Sequence, residues 1–196
     1  MIALEEIRSF GLKDIYFLII IALIISLFQY LAVYLFNPSI AFIISLSVIA
    51  IGINCVILIL RRSGVAGIFL VLNSLITLFL NDIGLIGFSK VIVFLLVGAI
   101  FELIYLFLKG HIHNIPLDLF FGTSISMANI PIFVAYILSP NLAASFPIAL
   151  LNLMVIAFVT GLAASLIVFV VWGLFEGTKA GIKIISYFGL LNSSWR

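Results

Sequence analysis

Six long apolar stretches, separated by short polar interruptions, constrain this chain more than any other feature of its sequence. They lie at about 15–36, 40–60, 65–80, 88–108, 117–138 and 147–175. A helix of about 20 apolar residues crosses the hydrocarbon core of a bilayer, which is about 30 Å thick. Because 66% of the residues are apolar and only 8% are charged, a soluble globular domain is excluded.

The apolarity is uniform along each stretch, which favours helices over the strands of a membrane barrel, because barrel strands alternate apolar and polar residues. We therefore predict an all-α integral membrane protein with a bundle of six transmembrane helices. The bundle forms one domain over 1–175, followed by a tail over 176–196. The third stretch is short and runs into the glycine-containing segment 81–87, so we also consider a kinked or partly re-entrant third span.

The positions of the cations predict the orientation of the bundle. With the N-terminus in the cytoplasm, all of the nine lysines and arginines except Lys90 fall on the cytoplasmic side, as the positive-inside rule requires. We therefore expect both termini in the cytoplasm. The tail places Lys179 and Lys183 on one helical side and Ile182 and Ile185 on the other, which predicts an amphipathic helix on the cytoplasmic leaflet.

The reactive and ligating side chains are few. The net charge of +2 argues against a nucleic-acid partner. The single cysteine, Cys55, cannot form a disulfide within the chain. His111 and His113 could chelate a metal ion, but the sequence offers too few further ligands. The printed sequence contains no zinc-protease motif, nucleophile elbow or phosphate-binding loop, so we predict neither an enzyme nor a cofactor.

Polar residues concentrate in the half of the bundle that the predicted orientation places outside. Asn73, Thr77 and Asn81 recur every four residues and form one stripe on the third helix. Such residues either join helices by hydrogen bonds or line a cavity for a small polar ligand. The second interpretation predicts binding by the third-helix stripe and by three further residues, with Lys90 available to an anionic group: Asn73, Thr77, Asn81, Lys90, Asn129 and Asn152.

Glu102 is the carboxylate that lies well inside a predicted span, in the inner half. A charged, unpaired carboxylate in hydrocarbon costs several kcal/mol, so such a residue is a candidate for proton or cation handling. A structural ion pair with Lys109, or with His111 or His113, is an equally good interpretation.

Two helices carry small residues at a spacing that lets another helix approach closely. Ala22 and Ser26 are four residues apart on the first helix, and the sixth helix carries Ala157, Gly161, Ala164 and Ser165. Packing within the chain is the default expectation for both sets. The pair on the first helix is also a candidate surface for docking a partner helix.

The layout of the chain, with six spans and both ends inside, resembles the substrate-binding (S) components of energy-coupling-factor (ECF) vitamin transporters. The residues that carry the resemblance are the SFGLKD lead-in to the first helix, the Ala22 and Ser26 pair, and Glu102 within GAIFELI. The resemblance implies a six-helix bundle that captures a vitamin near the extracellular side. It also implies docking, through small residues of the first helix, to a transmembrane coupling protein with two ABC ATPases.

We therefore expect a solute-binding subunit of an uptake transporter in the plasma membrane of a prokaryote, in contact with lipid and with a small-molecule ligand. One alternative is an accessory subunit of a larger respiratory or secretion complex, for which apolar bulk and the surface helix would be enough. A second alternative is an intramembrane enzyme that uses Glu102 with His111 or His113.

Overall fold

The computed structural model of the chain describes residues 11–60, 62–108, 111–112, 115–138, 146–176, 178–179 and 181. Over these residues the predicted all-helical bundle is confirmed, since six helices span the six apolar stretches. They are α1 (Leu12–Leu35), α2 (Pro38–Leu60), α3 (Val65–Ile76), α4 (Phe88–Phe107), α5 (Leu117–Leu138) and α6 (Pro147–Glu176). All but α3 are long and apolar enough to cross a membrane.

Two features differ from the predicted layout. Between α4 and α5, the two-residue strands β1 (His111–Ile112) and β2 (Ile115–Pro116) pair antiparallel, whereas the sequence predicts helices alone. The third helix is 12 residues long, or about 18 Å at 1.5 Å per residue, and it ends before the predicted position 80.

The segment 77–87 explains why α3 is short. After the last helical bond, from Thr77 N–H to the Asn73 carbonyl, the chain turns back, and Gly87 N–H bonds the Leu78 carbonyl at 2.7 Å. Gly84 and Gly87 have φ angles of 86° and 80°, a conformation that glycine adopts at no steric cost. We call residues 77–87 the folded-back segment.

The helices pack in a closed cycle, in the order α1, α3, α4, α5, α6, α2 and back to α1. Helix α2 also contacts α3 and α5, which makes it the most buried of the long helices. Helices α1 and α6 turn most of their apolar side chains outward. This distribution fits a bundle in lipid, where outward-facing side chains need not be polar.

Glycines set two of the closest helix crossings. A Cβ atom added to Gly98 of α4 would lie 2.8 Å from the Cα atom of Gly67 on α3, and one added to Gly161 of α6 would lie 2.9 Å from the Cα atom of Ser124 on α5. The small residue Gly161 therefore serves packing within the chain, as the sequence led us to expect for the sixth helix.

The bundle has two ends that differ in their polar contacts. At one end, which we call the Arg62 end, Arg62 of the α2–α3 connection forms an ion pair with Asp14 in the first turn of α1. At the other, the Lys90 end, lie the end of α3, the folded-back segment and the start of α4. The predicted orientation places the Lys90 end outside the cell.

Some predicted features fall outside the described residues. The tail over 176–196 does so for the most part, and so do Lys109 and the side chains of His111 and His113. The predicted surface helix and the predicted partners of Glu102 in that region therefore stay predictions.

Candidate functional site

A set of buried polar side chains at the Lys90 end joins three elements of the bundle. On α1, the Ser26 hydroxyl donates a hydrogen bond of 3.0 Å to Oδ1 of Asn73 on α3. One turn further along α3, the Thr77 hydroxyl donates to the Asn73 backbone carbonyl at 2.8 Å. Each of these side chains is buried, so the α1–α3 contact contains polar groups that neither water nor lipid reaches.

Lys90 continues this set from the start of α4. Its Nζ donates to the carbonyl oxygens of Thr77, at 3.0 Å, and Leu80, at 3.3 Å. It also forms an ion pair with Asp82. An ammonium group has three N–H donors, so these contacts use all of them. Lys90 is therefore fully engaged within the chain, although the sequence analysis had left it available to an anionic ligand.

Gln29 closes the set back onto α1. Its Nε2 donates to Oδ2 of Asp82 at 2.7 Å, and Gln29 lies one helical turn beyond Ser26 on the same buried face. The contacts thus form a chain that begins at Ser26 and ends at Gln29, and the backbone of α1 joins its two ends. We call this set the polar ring. Its members are Ser26, Gln29, Asn73, Thr77, Asp82 and Lys90, all with an exposed fraction of 2% or less.

Two atoms of the polar ring have no hydrogen-bond partner within the described part of the chain. They are Oε1 of Gln29, an acceptor, and Nδ2 of Asn73, a donor. Leaving such a buried group unpaired costs about 1–3 kcal/mol. The ring therefore presents one open acceptor, on Gln29, and one open donor, on Asn73.

The folded-back segment brings Asp82 into the ring. Ile83 and Leu85, on either side of Gly84, are buried in the bundle, and a Cβ atom at Gly84 would lie 3.6 Å from Val134 of α5. The segment therefore lies beside α5, and it contacts α1 and α4 through Asp82.

Three of the six predicted binding residues come together, and three do not. Asn73, Thr77 and Lys90 belong to the polar ring. Asn81 lies beyond the end of α3 and is exposed. Asn129 is half-buried and donates from Nδ2 to the Ile125 carbonyl of its own helix at 2.8 Å.

Asn152, the last of the predicted binding residues, is exposed near the start of α6. It lines an open groove of about 370 Å³ together with residues 146–149. Nothing links this groove to the polar ring in the described residues, so the predicted set does not form one site.

Sequence reasoning missed the pairing of Asp82 with Lys90 and with Gln29. One signal was present, because Asp82 is the carboxylate nearest to Lys90 along the chain and the two are separated by a segment with two glycines, which allows a tight return.

The predicted docking pair on α1 faces the interior of the bundle. Ala22 is 0% exposed, Ser26 is 2% exposed, and Ser26 is bonded to Asn73. Both residues therefore pack inside the chain. Large apolar residues, such as Leu23, Leu27 and Phe28, form the exposed face of α1.

Glu102 lies towards the Arg62 end, away from the polar ring along α4, and it contacts the first turn of α3 through Oε1. Its Oε2 has no partner among the residues that the structure describes. The sequence left open an ion pair or a role in proton or cation handling for Glu102. The partner seen among the described residues is the backbone amide of Ala66.

A second polar cluster, which lies nearer the Arg62 end, differs from the polar ring. Nδ2 of Asn54 on α2 donates to Oγ of Ser165 on α6, at 3.0 Å, and to the Ala50 carbonyl, at 2.7 Å. Its Oδ1 accepts from the Thr123 hydroxyl of α5 at 3.1 Å. Both polar atoms of the Asn54 amide are bonded, so this cluster serves to join three helices.

Over the described ranges, no group of three or more His, Cys, Asp and Glu residues could hold a metal ion. Cys55 is a free, half-buried thiol.

Comparison of the chain with family models, curated proteins and solved structures finds no match. Fold and site geometry therefore define the class as a multi-pass helical membrane protein with a buried polar ring.

Proposed function

We propose that this protein is the solute-binding subunit of an uptake transporter, which captures a small polar, vitamin-like molecule from the outer side of a prokaryotic plasma membrane. The observation that carries the proposal is the polar ring, with its open acceptor on Gln29 and open donor on Asn73. A ring that served only to join helices gains nothing from unpaired atoms, whereas a solute that bonds both atoms removes their cost.

The contrast between two buried asparagines supports this assignment. Asn54 and Asn73 are both 0% exposed. The Asn54 amide is bonded through both its nitrogen and its oxygen, while the Asn73 amide nitrogen is open. Asn54 therefore holds neighbouring helices together by hydrogen bonds, whereas Asn73 is a candidate ligand contact at the Lys90 end.

The energy for uptake comes from other chains in this proposal. The printed sequence contains no phosphate-binding loop, so a partner module with ABC ATPases and a transmembrane coupling protein would drive release. Ala22 and Ser26 are buried, so the proposal assigns docking of that module to an outward-facing part of the bundle instead of to this pair.

An accessory subunit of a larger membrane complex is the second candidate. The exposure of α6 favours this candidate, because only 28% of its most apolar 18-residue stretch is buried within the chain. In that case the exposed side of α6 contacts a neighbouring subunit, and the polar ring serves stability alone.

A thermal-shift screen of the purified chain in detergent tests the proposal. A panel of water-soluble vitamins and their precursors should contain at least one compound that raises the melting temperature, since binding to the folded state stabilises it. Asn73→Ala should abolish that shift, whereas the matched variant Asn54→Ala should lower the melting temperature of the free protein and keep the shift. A shift that Asn73→Ala leaves intact contradicts the proposal and favours the accessory role.

A further inference from the structure

We infer that the solute presents an uncharged amide-type edge to the polar ring, with an N–H group and a carbonyl oxygen side by side. This inference rests on the proposed function and specifies the substrate class of the same site. Lactams, cyclic ureas and primary carboxamides belong to this class, and carboxylates do not.

The open atoms of the ring define the edge. Oε1 of Gln29 can only accept a hydrogen bond, and Nδ2 of Asn73 can only donate one. A ligand that satisfies both needs one donor and one acceptor. An amide offers both on adjacent atoms, and a carboxylate offers two acceptors and no donor.

The two open atoms belong to side chains that both neighbour Ser26. Asn73 is bonded to Ser26 at 3.0 Å, and Gln29 follows Ser26 by one turn on the same face of α1. Side chains at this helical spacing are neighbours, with about 5–6 Å between their Cβ atoms. Our inference therefore places one small polar group of the solute beside Ser26, between the side chains of Gln29 and Asn73.

The charges of the ring argue against an anionic solute. The positive charge of Lys90 is balanced by Asp82 within the ring, and the three donors of Lys90 are used. A carboxylate bound at the ring would meet Asp82 and the Gln29 carbonyl oxygen without a free cation, and burying an unpaired charge is far more costly than burying an amide.

Matched pairs of probes test this inference on the full chain in detergent. Nicotinamide against nicotinate, and benzamide against benzoate, each replace the carboxamide by a carboxylate and keep the ring unchanged. We expect the neutral member of at least one pair to raise the melting temperature and its acid to bind about tenfold more weakly or worse. Equal or tighter binding of the acids overturns the inference.

A second measurement uses Asn73→Asp, which keeps an oxygen for Ser26 and removes the open donor. It should weaken binding of the neutral probe by about tenfold or more, while Asn54→Ala leaves the affinity unchanged. If no neutral amide binds but a compound of another class binds through Asn73, the substrate class is wrong and the proposed function stands. If no solute of any class binds, a buried water occupies the ring and both proposals fail.

Discussion

The carboxylate of Glu102 on α4 accepts a hydrogen bond of 3.2 Å from the backbone N–H of Ala66, in the first turn of α3. The first amides of a helix have no partner within it, so Glu102 caps α3 from a neighbouring helix. Because α3 is short and carries Asn73, with Thr77 directly after its last residue, this contact helps to fix the helix on which the polar ring depends.

We expect Glu102→Leu to lower the free energy of unfolding by about 1 kcal/mol, as other losses of an N-terminal cap do. Glu102→Gln keeps an oxygen that can accept the bond and should retain most of the stability. Hydrogen exchange at the Ala66 amide provides the local measurement, and it should accelerate in the Leu variant alone. Equal exchange in all three proteins would show that Glu102 does not cap α3.

The ion pair of Lys90 and Asp82 gives a prediction about single and double changes. Removing one partner leaves the other charged and buried, which costs about 3–5 kcal/mol. We therefore expect Lys90→Met and Asp82→Asn each to destabilise the protein strongly, and the double variant to recover a large part of the loss. Unfolding in detergent measures the three variants, and simple additivity of the two effects would contradict the pairing.

The crossing of α3 and α4 predicts a contrast between two glycines. Gly98→Ala brings its Cβ atom to 2.8 Å from Gly67, so the helices must separate, at a cost of about 1–3 kcal/mol. Gly173→Ala on α6 meets nothing within 4 Å and should leave stability unchanged or raise it by about 0.5–1 kcal/mol. Thermal unfolding of the two variants tests the packing, and equal effects would argue against it.

The uniform apolarity of the chain explains both what could be predicted and what could not. Six long apolar stretches require helices in lipid, so the number and positions of the helices followed from the sequence. The sequence did not show which face of each helix points inward, because the core and the lipid are equally apolar. For that reason Asn152 could not be told apart from Asn73, although one is exposed and the other is 0% exposed.

The polar ring was predictable only in part. The stripe of Asn73 and Thr77 follows from helical periodicity, which holds as far as Ile76. Asn81 continues the spacing of the stripe in the sequence, but it does not lie on α3, because the helix ends at Ile76. The partner of Lys90 depends on how residues 77–87 fold back, and the positive φ angles of Gly84 and Gly87 that permit this are not encoded by a repeating pattern.

The orientation of the bundle rests on the distribution of cations and can be tested by labelling. In a Cys55→Ser background, cysteine introduced at Asn81 or Ser63 occupies an exposed position near the Lys90 end or the Arg62 end, respectively. An impermeant thiol reagent should label the Asn81→Cys protein in intact cells and the Ser63→Cys protein only after permeabilisation. The reverse pattern would invert the predicted topology.

Native mass spectrometry of the chain purified from its own membrane tests most directly whether the polar ring holds a solute. We expect the wild-type protein and Asn54→Ala to carry a small molecule that is released on activation, and Asn73→Ala to carry none. Identification of the released compound then shows whether it is a neutral amide. A compound retained equally by Asn73→Ala, or no bound compound in any of the three proteins, would contradict the account.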